Sequence, residues 1–478
     1  MEKEYDCVII GAGIAGLFAG NMLIESGKKV LVIEKNSFAG GYFSKINLKG
    51  QLIDSTVSYY LGMEKRSPLL KFLNELNLCP KLQFTKVNTA DLYIFPDFEF
   101  KLECDSDIFR SKIEKAFPSE LHNIDIFFKS MLHIHNAFSK LGGLSSLIEN
   151  EMVKKHLGST YDHFLNSLFE DKILKAILSA RVFGSNVSML TMLSYLGKIL
   201  YGGLFQETNG QDIANVLYEN LLKNNIEVYL NTKANSIGIK NKKAKYVQIE
   251  SKKIKTDLIV SAMDMSKLLC EMITPIGNEN NEKQLITKEK SLSSITLYLV
   301  VKKLPEKILA EKPSRIYLFE DFDIINLYKR KENNFFELTN GMKINIEDVE
   351  SIDFTEKNSY NLRVECDVKN SSIPNNITRK SIENSILYVL KNKLNIQTKD
   401  ILQTLLWLPS DFENLSGCTD GAGSGWSPNT NFWDSGKYVK QIANNLIQIG
   451  CWDKYGSGIF PIYLSSKQIT SKIELKST

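Results

Sequence analysis

The stretch that decides the fold reads YDCVIIGAGIAG at residues 5–16 and is followed, after a helical segment, by KVLVIE at residues 29–34. An apolar strand, a glycine-rich turn, a helix and a second strand that ends in an acid are the parts of a dinucleotide-binding βαβ unit. Gly11 permits the tight turn, Gly13 lets the backbone approach a pyrophosphate, and Gly16 lets the helix lie close to the strand.

The residues after the turn indicate how a dinucleotide would be held. The helix that starts with Ile14 and Ala15 directs unpaired N–H groups and the positive end of its dipole at the turn, which favours phosphate. Glu34 ends the second strand, where its carboxylate can accept hydrogen bonds from both ribose hydroxyls and would repel a 2′-phosphate. The sequence therefore favours FAD or NAD over NADP.

Composition indicates a globular protein in a reducing compartment. The chain has 478 residues, of which 43% are hydrophobic, and a formal net charge of +4 that is spread along its length. Nothing in this charge pattern indicates a nucleic-acid surface. Seven cysteines without a C-x-x-C pair argue against a disulfide framework and fit a cytoplasmic protein. No apolar run approaches the roughly 18 residues of a membrane span, while peripheral contact with a membrane stays open.

The order of the predicted elements indicates an α/β protein with discontinuous domains. A mainly helical stretch follows the first βαβ unit, a second α/β stretch comes next, and the last segment returns to glycine-rich strand and helix patterns. We predict a nucleotide-binding domain from residues 1–62, 201–290 and 411–478. A substrate domain would consist of a helical cap at 63–200 and a sheet-containing part at 291–410.

The end of the chain carries a second glycine-rich segment. Gly450 follows an apolar strand pattern, and Gly458 precedes a helix pattern with Pro461 in its first turn. The N-terminus of that helix can direct its dipole at an electron-rich part of a ligand. Another glycine-rich stretch, at residues 421–425, lacks the surrounding strand and helix, so we do not predict a nucleotide site there.

No acid/base pair or nucleophile constellation is visible, so the catalytic residues stay unknown. The five histidines all fall in the helical stretch, at His122, His133, His135, His156 and His163. His133 and His135 point to different faces of one helix. Because metal ligands need a shared face and further partners, we predict no metal site.

Three features together resemble the flavin amine oxidase superfamily. They are the N-terminal fingerprint, the pair Gly40-Gly41 soon after Glu34, and the strand-glycine-acid-glycine-helix segment that starts at Gly450. Within that superfamily the pattern is most similar to the branch of phytoene desaturases, carotenoid isomerases and retinol saturases. The similarity extends over nearly the full chain.

The resemblance implies a Rossmann-like FAD-binding domain of the glutathione reductase type, built from discontinuous segments, with an inserted mixed-sheet and helical substrate domain. It also implies FAD as the cofactor and a hydrophobic small-molecule substrate. Ala234 would meet the adenine through its backbone, and Asp453 would lie in the ribityl and phosphate region. The residues implied to hold FAD are Gly11, Gly13, Ile14, Ala15, Gly16, Glu34, Lys35, Gly40, Gly41, Tyr42, Ala234, Gly450, Asp453, Gly458 and Ile459.

Four aromatic residues lie beside segments that approach the flavin in that family. They are Tyr59, Tyr60, Trp426 and Trp452. We interpret them as candidate substrate-binding residues of an aromatic tunnel, with ordinary packing as the alternative.

The chain departs from the family pattern at several places. Tyr42 stands where the family usually has an arginine, which removes an expected pyrophosphate cation, and Thr56 replaces a usual glycine. The family acid commonly follows the glycine directly, whereas here two residues separate Gly450 from Asp453. These departures leave the shape of the substrate pocket open.

We therefore expect an FAD-dependent oxidoreductase, a desaturase or dehydrogenase that moves hydride from a C–C bond of a hydrophobic or conjugated substrate to flavin N5. Three alternatives stay open: a redox-neutral polyene isomerase that uses reduced FAD, an amine oxidase acting on a C–N bond, and a non-catalytic lipid escort of the GDP-dissociation-inhibitor type. The electron acceptor cannot be predicted, because no second nucleotide fingerprint is present.

Overall fold

The computed structural model describes residues 4–48, 51–56, 59–139, 150–207, 213–274, 288–348, 359–429 and 439–474. The strands are β1 (Glu4–Ile10), β2 (Val30–Ile33), β3 (Lys45–Leu48), β4 (Gln51–Asp54), β5 (Phe84–Val87), β6 (Thr89–Ile94), β7 (Glu99–Glu103), β8 (Leu204–Glu207), β9 (Glu227–Tyr229), β10 (Ala234–Lys240), β11 (Lys243–Ile249), β12 (Lys252–Ser261), β13 (Ile273–Thr274), β14 (Ser293–Val301), β15 (Arg315–Leu318), β16 (Met342–Asp348), β17 (Tyr360–Val368), β18 (Ile401–Trp407) and β19 (Leu446–Gln448). The helices are α1 (Ile14–Met22), α2 (Pro68–Glu75), α3 (Ser106–Ala116), α4 (Leu121–Ser139), α5 (Glu151–Lys155), α6 (Tyr161–Leu168), α7 (Lys172–Ser179), α8 (Met189–Gly197), α9 (Ile213–Lys223), α10 (Met265–Lys267), α11 (Glu306–Glu311), α12 (Ile324–Asn333), α13 (Arg379–Leu394), α14 (Pro409–Ser416), α15 (Val439–Ile442) and α16 (Ile459–Glu474).

The first sheet is built from three distant parts of the chain. Strand β1 lies between β2 and β12 and pairs with both in parallel. Strand β9 extends the sheet beyond β2, β19 pairs with β12, and β10 and β11 add antiparallel strands on the other side. Most side chains of β1 and β2 are buried, as expected for parallel strands covered on both faces. The predicted α/β fold is confirmed.

Helix α1 joins the beginning of the chain to its end. Gly20 on α1 faces Leu221 of α9, where a Cβ would lie 3.0 Å from a Leu221 methyl carbon. The Ser466 hydroxyl of α16 donates a hydrogen bond to the Ala15 carbonyl at 3.1 Å. The last helix is therefore fastened to the first turn of α1.

The second sheet has the order β18-β14-β17-β16-β15-β6-β7 among the described residues. Its rear face carries aliphatic side chains such as Ile344 and Leu362 and packs against Ile386 of α13. Its front face packs at one end on the β3–β4 hairpin through Tyr298, and at the other end on the helical cap through Tyr317. Charged side chains lie on this front face between the two ends.

The helices of the cap are mixed in composition. Helix α4 includes Asp125 and Lys129, which form an ion pair at 2.8 Å on its surface. Among the described residues, no helix combines the length and the apolar composition that a membrane span requires.

A buried ion pair fixes the cap on the second sheet. The Asp91 carboxylate of β6 accepts hydrogen bonds from Nε and Nη2 of Arg181 at 2.5 and 2.7 Å, and neither side chain is exposed. Arg181 also donates to the Tyr195 hydroxyl at 2.8 Å, and Tyr93 donates to Asp91 at 3.0 Å. Because the charges are paired and further hydrogen-bonded, the Coulomb attraction offsets their desolvation.

Loss of one partner of this pair should be costly. The Asp91→Asn substitution keeps the shape but leaves the Arg181 guanidinium buried without a counter-ion, so we expect the free energy of unfolding to fall by about 3–5 kcal/mol. Urea denaturation followed by tryptophan fluorescence measures this. The double variant D91N/R181Q should recover part of the loss.

The matched control is Glu75→Gln, which removes a carboxylate from an exposed pair with Lys71. It should leave the urea midpoint unchanged, since exposed pairs contribute little. A D91N midpoint equal to that of wild type would contradict the role given to the buried pair.

Candidate functional site

The turn after β1 leaves the start of α1 without a side-chain cap. Gly11 has φ +100°, and a Cβ on Gly16 would lie 1.9 Å from the Gly11 carbonyl oxygen. A side chain at either position is therefore excluded. Gly13 is the N-cap, and a Cβ there would meet nothing within 4 Å. Helix α1, which starts at Ile14, thus begins beside open space, as anion binding at a helix N-terminus requires.

Glu34 fastens this turn from the end of β2. Its carboxylate accepts hydrogen bonds from the Ala12 N–H at 2.8 Å and from the Asn36 N–H at 2.9 Å, one on each oxygen. The Glu34 N–H itself donates to the Tyr229 carbonyl of β9 at 2.8 Å. Since each carboxylate oxygen has a second lone pair, Glu34 can still accept the hydroxyls of a ribose.

The glycine pair lies against the turn. The Gly40 N–H donates to the Ala12 carbonyl at 2.8 Å, and a Cβ on Gly41 would lie 3.4 Å from the Cα of Gly13. Gly40 and Gly41 have φ +119° and +58°, a region that favours glycine. The structure thus brings both predicted glycine motifs together.

Tyr42 links the glycine pair to other parts of the fold. Its hydroxyl donates to the Gly421 carbonyl at 3.2 Å, and its own carbonyl accepts from the hydroxyls of Ser55 and Thr56 at 2.8 and 2.7 Å. Burial raises the pKa of Tyr42 well above its usual value. The side chain is therefore a neutral connector, and Thr56 shares in that connection.

Lys35 and Ala234 are the next two residues that the sequence assigns to the cofactor. The Lys35 ammonium donates to the Asn414 carbonyl at 3.0 Å, near the C-terminus of α14, where the helix dipole favours a cation. Burial lowers the pKa of Lys35. Ala234 is the first residue of β10, and its side chain is buried in the same core as Ile10 and Ile33.

The C-terminal glycine segment meets the first turn of α1. Gly450 has φ +90°, and a Cβ there would lie 3.2 Å from the Cβ of Ala15. Gly458 has φ +94°, and α16 begins with the next residue, Ile459. Two predicted motifs that are more than 400 residues apart in sequence therefore border the N-terminus of one helix.

Asp453 anchors this segment to α16. Its carboxylate accepts hydrogen bonds from the Ser465 hydroxyl at 2.8 Å and the Gln468 amide at 2.6 Å, and Ser465 also accepts from the Gly450 N–H. Burial raises the pKa of Asp453. The observed partners are thus in the protein, and a contact with the ribityl chain or phosphates stays a prediction.

Comparisons with known proteins support the same family. A model described as an NAD(P)-binding Rossmann-like domain matches residues 9–76. The chain is 22% identical to a 4,4'-diapophytoene desaturase of Methylomonas sp over 64% of this chain and 62% of that protein. It is 23% identical to a 1-hydroxycarotenoid 3,4-desaturase of Flavobacterium sp. (strain P99-3) over 98% of both. A prolycopene isomerase of an Oncidium hybrid is 27% identical over 29% of this chain and 24% of its own length. The first and third matches span less than two thirds of the relative.

Two solved structures with similar folds extend this comparison. An oxidoreductase from Methanosarcina mazei has a TM-score of 0.67 and 16% identity, and the match covers 98% of this chain and 100% of the other. A putrescine oxidase bound to putrescine has a TM-score of 0.65 and 13% identity over 99% and 100%.

The predicted resemblance to the flavin amine oxidase superfamily is confirmed. The prediction of a Rossmann-like fold is confirmed with it. At these identities the solved structures show the fold alone, so the oxidoreductase activity, the reaction and the substrate of this protein stay proposals.

Three of the four predicted aromatic residues are packed in the protein interior. The Tyr60 ring lies 5.3 Å from the ring of Phe84, centroid to centroid. Trp426 and Trp452 are each 2% exposed, with ring centroids 4.8 Å apart, and the Trp426 indole N–H donates to the Trp452 carbonyl at 3.1 Å. Their observed contacts are packing contacts, and a role in substrate binding stays a prediction.

Tyr59 lies in a group of ionisable side chains, the Tyr59 cluster, which consists of Tyr59, Arg181, Tyr195, Arg315 and Tyr317. The guanidinium carbons of Arg315 and Arg181 lie 4.9 and 5.4 Å from the centroid of the Tyr59 ring. Burial acts to raise the pKa of Tyr59, but the two positive charges outweigh it, so the pKa is lowered. Sequence reasoning missed the other members because they belong to no motif and come from two stretches far from Tyr59, residues 181–195 and 315–317.

Lys198 brings a further cation to the start of α16. It opens a π-helical turn, Lys198–Gly202, and such turns are frequent at functional sites. The Lys198 ammonium lies 3.3 Å from a Glu64 carboxylate oxygen and 4.3 Å from the centroid of the Phe460 ring. Burial, with Lys198 as a second cause, lowers the pKa of His135 to about 4.

The Gly13→Ala substitution should weaken dinucleotide binding without destabilising the fold. A Cβ at Gly13 meets no protein atom within 4 Å, so the thermal midpoint should stay near that of wild type. The methyl group would occupy the space beside the start of α1, so we expect the affinity for FAD to fall by about tenfold or more. Gly158→Ala, which also places a Cβ in open space, is the control. An unchanged FAD affinity for G13A would contradict this site.

His135 should make stability depend on pH. Its pKa in the folded protein is about 4, below the ordinary value of 6.5, so the native state disfavours its protonation. The contribution of neutral His135 to the free energy of unfolding is fully present above about pH 6.5 and is lost as the pH falls toward 4. We expect His135→Gln to reduce the decline in unfolding free energy over this range, measured by urea titrations at several pH values. Parallel curves for the two proteins would show that His135 has no such effect.

Proposed function

We propose that the protein is an FAD-dependent oxidoreductase that removes a hydride and a proton across a C–C bond of a conjugated or hydrophobic substrate. One observation carries the cofactor part of this proposal: the glycine turn, the glycine pair and Gly450 all lie against the first turn of α1. An open helix N-terminus bordered by glycines favours a ligand that carries phosphate there. A dinucleotide is such a ligand.

The residues present fit FAD. Gly13 leaves room beside α1, and the free lone pairs of Glu34 suit ribose hydroxyls but not a 2′-phosphate. When bound, FAD supplies the hydride acceptor. Gly450 and the helix that starts at Ile459 would border its flavin end, where the positive end of the helix dipole favours negative charge.

The substrate side of the site would lie toward the second sheet. A Cβ on Gly62 would lie 2.6 Å from the ring of Phe460, in the first turn of α16. Tyr59 is three residues before Gly62, and three residues span at most about 10 Å. The Tyr59 cluster is therefore within the length of a small molecule from the start of α16, and it would bind and orient the substrate there.

Specific observations bear on the alternatives. The similarity to a prolycopene isomerase favours a polyene isomerase as the second candidate. Amine oxidases share the fold, but the Tyr59 cluster combines two arginines, and only Arg181 has a fully buried carboxylate partner, in Asp91. Such positive charge disfavours a protonated amine.

The complete glycine turn with Glu34 argues against an escort that binds no dinucleotide.

Absorption spectroscopy tests the proposal. The purified protein with added FAD should show flavin bands near about 370 and 450 nm that bleach with dithionite. Under anaerobic conditions, a desaturase should bleach these bands upon addition of a polyene substrate, whereas an isomerase should change the polyene spectrum without net bleaching. An amine oxidase would bleach with an amine and release peroxide in air. Failure to bind FAD in excess would contradict the proposal.

A further inference from the structure

We infer that the substrate carries a carboxylate and that Arg315 binds it. The inference deepens the proposed function and rests on it, because it assumes that the substrate lies between α16 and the front face of the second sheet. It starts from a largely buried arginine on that face whose nearest carboxylate, Glu365, lies 3.9 Å away and is shared with Arg363.

The contacts of Arg315 leave much of its hydrogen-bonding capacity for a ligand. Its side chain is 11% exposed. Its shortest hydrogen bond runs from Nε to the neutral amide oxygen of Asn345, at 2.6 Å. Nη1 is 3.5 Å from the Tyr317 hydroxyl, and Nη2 is 3.9 Å from a Glu365 carboxylate oxygen. A guanidinium has five N–H donors in a fork that matches a carboxylate. The two outer nitrogens therefore suit a bidentate anion.

The carboxylate nearest to Arg315 is shared with a second arginine. In the described part of this face, three other cations have partners of their own: Arg181 with Asp91, Arg363 with Glu365, and Lys343 with Asp367. Glu365, the carboxylate nearest to Arg315 in these contacts, is thus already bonded to Arg363 at 2.7 Å. The cluster has a surplus of positive charge, and a buried charge is costly until it is paired.

The location of Arg315 suits a substrate with two different ends. Its guanidinium lies over the ring of Tyr59, which is three residues before Gly62 and hence close to the start of α16. The rings of Tyr59 and Tyr317, with centroids 4.9 and 5.9 Å from the guanidinium carbon, bring apolar surface beside it. An apolar or conjugated chain that ends in a carboxylate would place its chain on these rings and its charge on Arg315. A pure hydrocarbon would leave Arg315 with only the carboxylate that it shares with Arg363.

The test compares acids with their matching alcohols. Retinoate with retinol, and oleate with oleyl alcohol, are titrated into the FAD-loaded protein, and binding is followed by flavin absorbance and tryptophan fluorescence. We expect the acid of at least one pair to bind about tenfold more tightly than its alcohol. Arg315→Gln should lower the affinity for the acid by about tenfold and so abolish this preference. Arg379→Gln, which removes the same charge from a half-exposed site on α13, is the control and should keep the preference.

A second variant keeps the test valid if R315Q does not fold. Asn345→Asp places a carboxylate at hydrogen-bond distance from Nε of Arg315, so the arginine is neutralised within the protein. The preference for the acid should disappear in N345D although Arg315 is still present. Equal affinity for acid and alcohol in both pairs, or a preference that survives in both R315Q and N345D, would overturn the inference. The flavin spectrum of each sample shows separately whether FAD is bound, so a failed cofactor proposal is recognised as such.

Discussion

The close approach of α1 to β1 is the constraint on which the rest of the structure depends. A side chain at Gly16 would collide with the Gly11 carbonyl, where a Cβ would lie at 1.9 Å, so the helix can start at the glycine turn only because that atom is missing. With α1 in this place, Ser466 can bond to Ala15, and Gly450 can reach the same turn. The beginning and the end of the chain thus form one site.

The second sheet differs between its two faces. The rear face of the second sheet is an ordinary aliphatic core, but its front face combines apolar ends with a charged centre. The segment that ends at Asp54 crosses this centre, where Arg363 donates to the Asp54 carbonyl at 3.0 Å and Tyr298 donates to the Ser55 carbonyl at 2.6 Å. Arg363 and Tyr298 therefore join the second sheet to the end of the β3–β4 hairpin.

The local sequence pattern was enough to predict the dinucleotide-binding part of the candidate site. The glycine turn, Glu34 and the strand before Gly450 depend on backbone conformation and on neighbours close in sequence, so their spacing predicts their geometry. The pattern could not predict that Asp453 would bond to Ser465 and Gln468, because that choice depends on how α16 packs. The Tyr59 cluster is harder still to predict from sequence, because its members come from four elements or loops that only the tertiary fold brings together.

In the proposed arrangement, one site between α1 and α16 holds a dinucleotide whose flavin end faces the Tyr59 cluster. A crystal structure of the protein grown with FAD measures this most directly. We expect ribose hydroxyls within about 2.6–3.2 Å of the Glu34 carboxylate, phosphates at the start of α1, and the flavin ring at the start of α16 on the side of Tyr59. FAD bound elsewhere, or a ribose out of reach of Glu34, would contradict the claim.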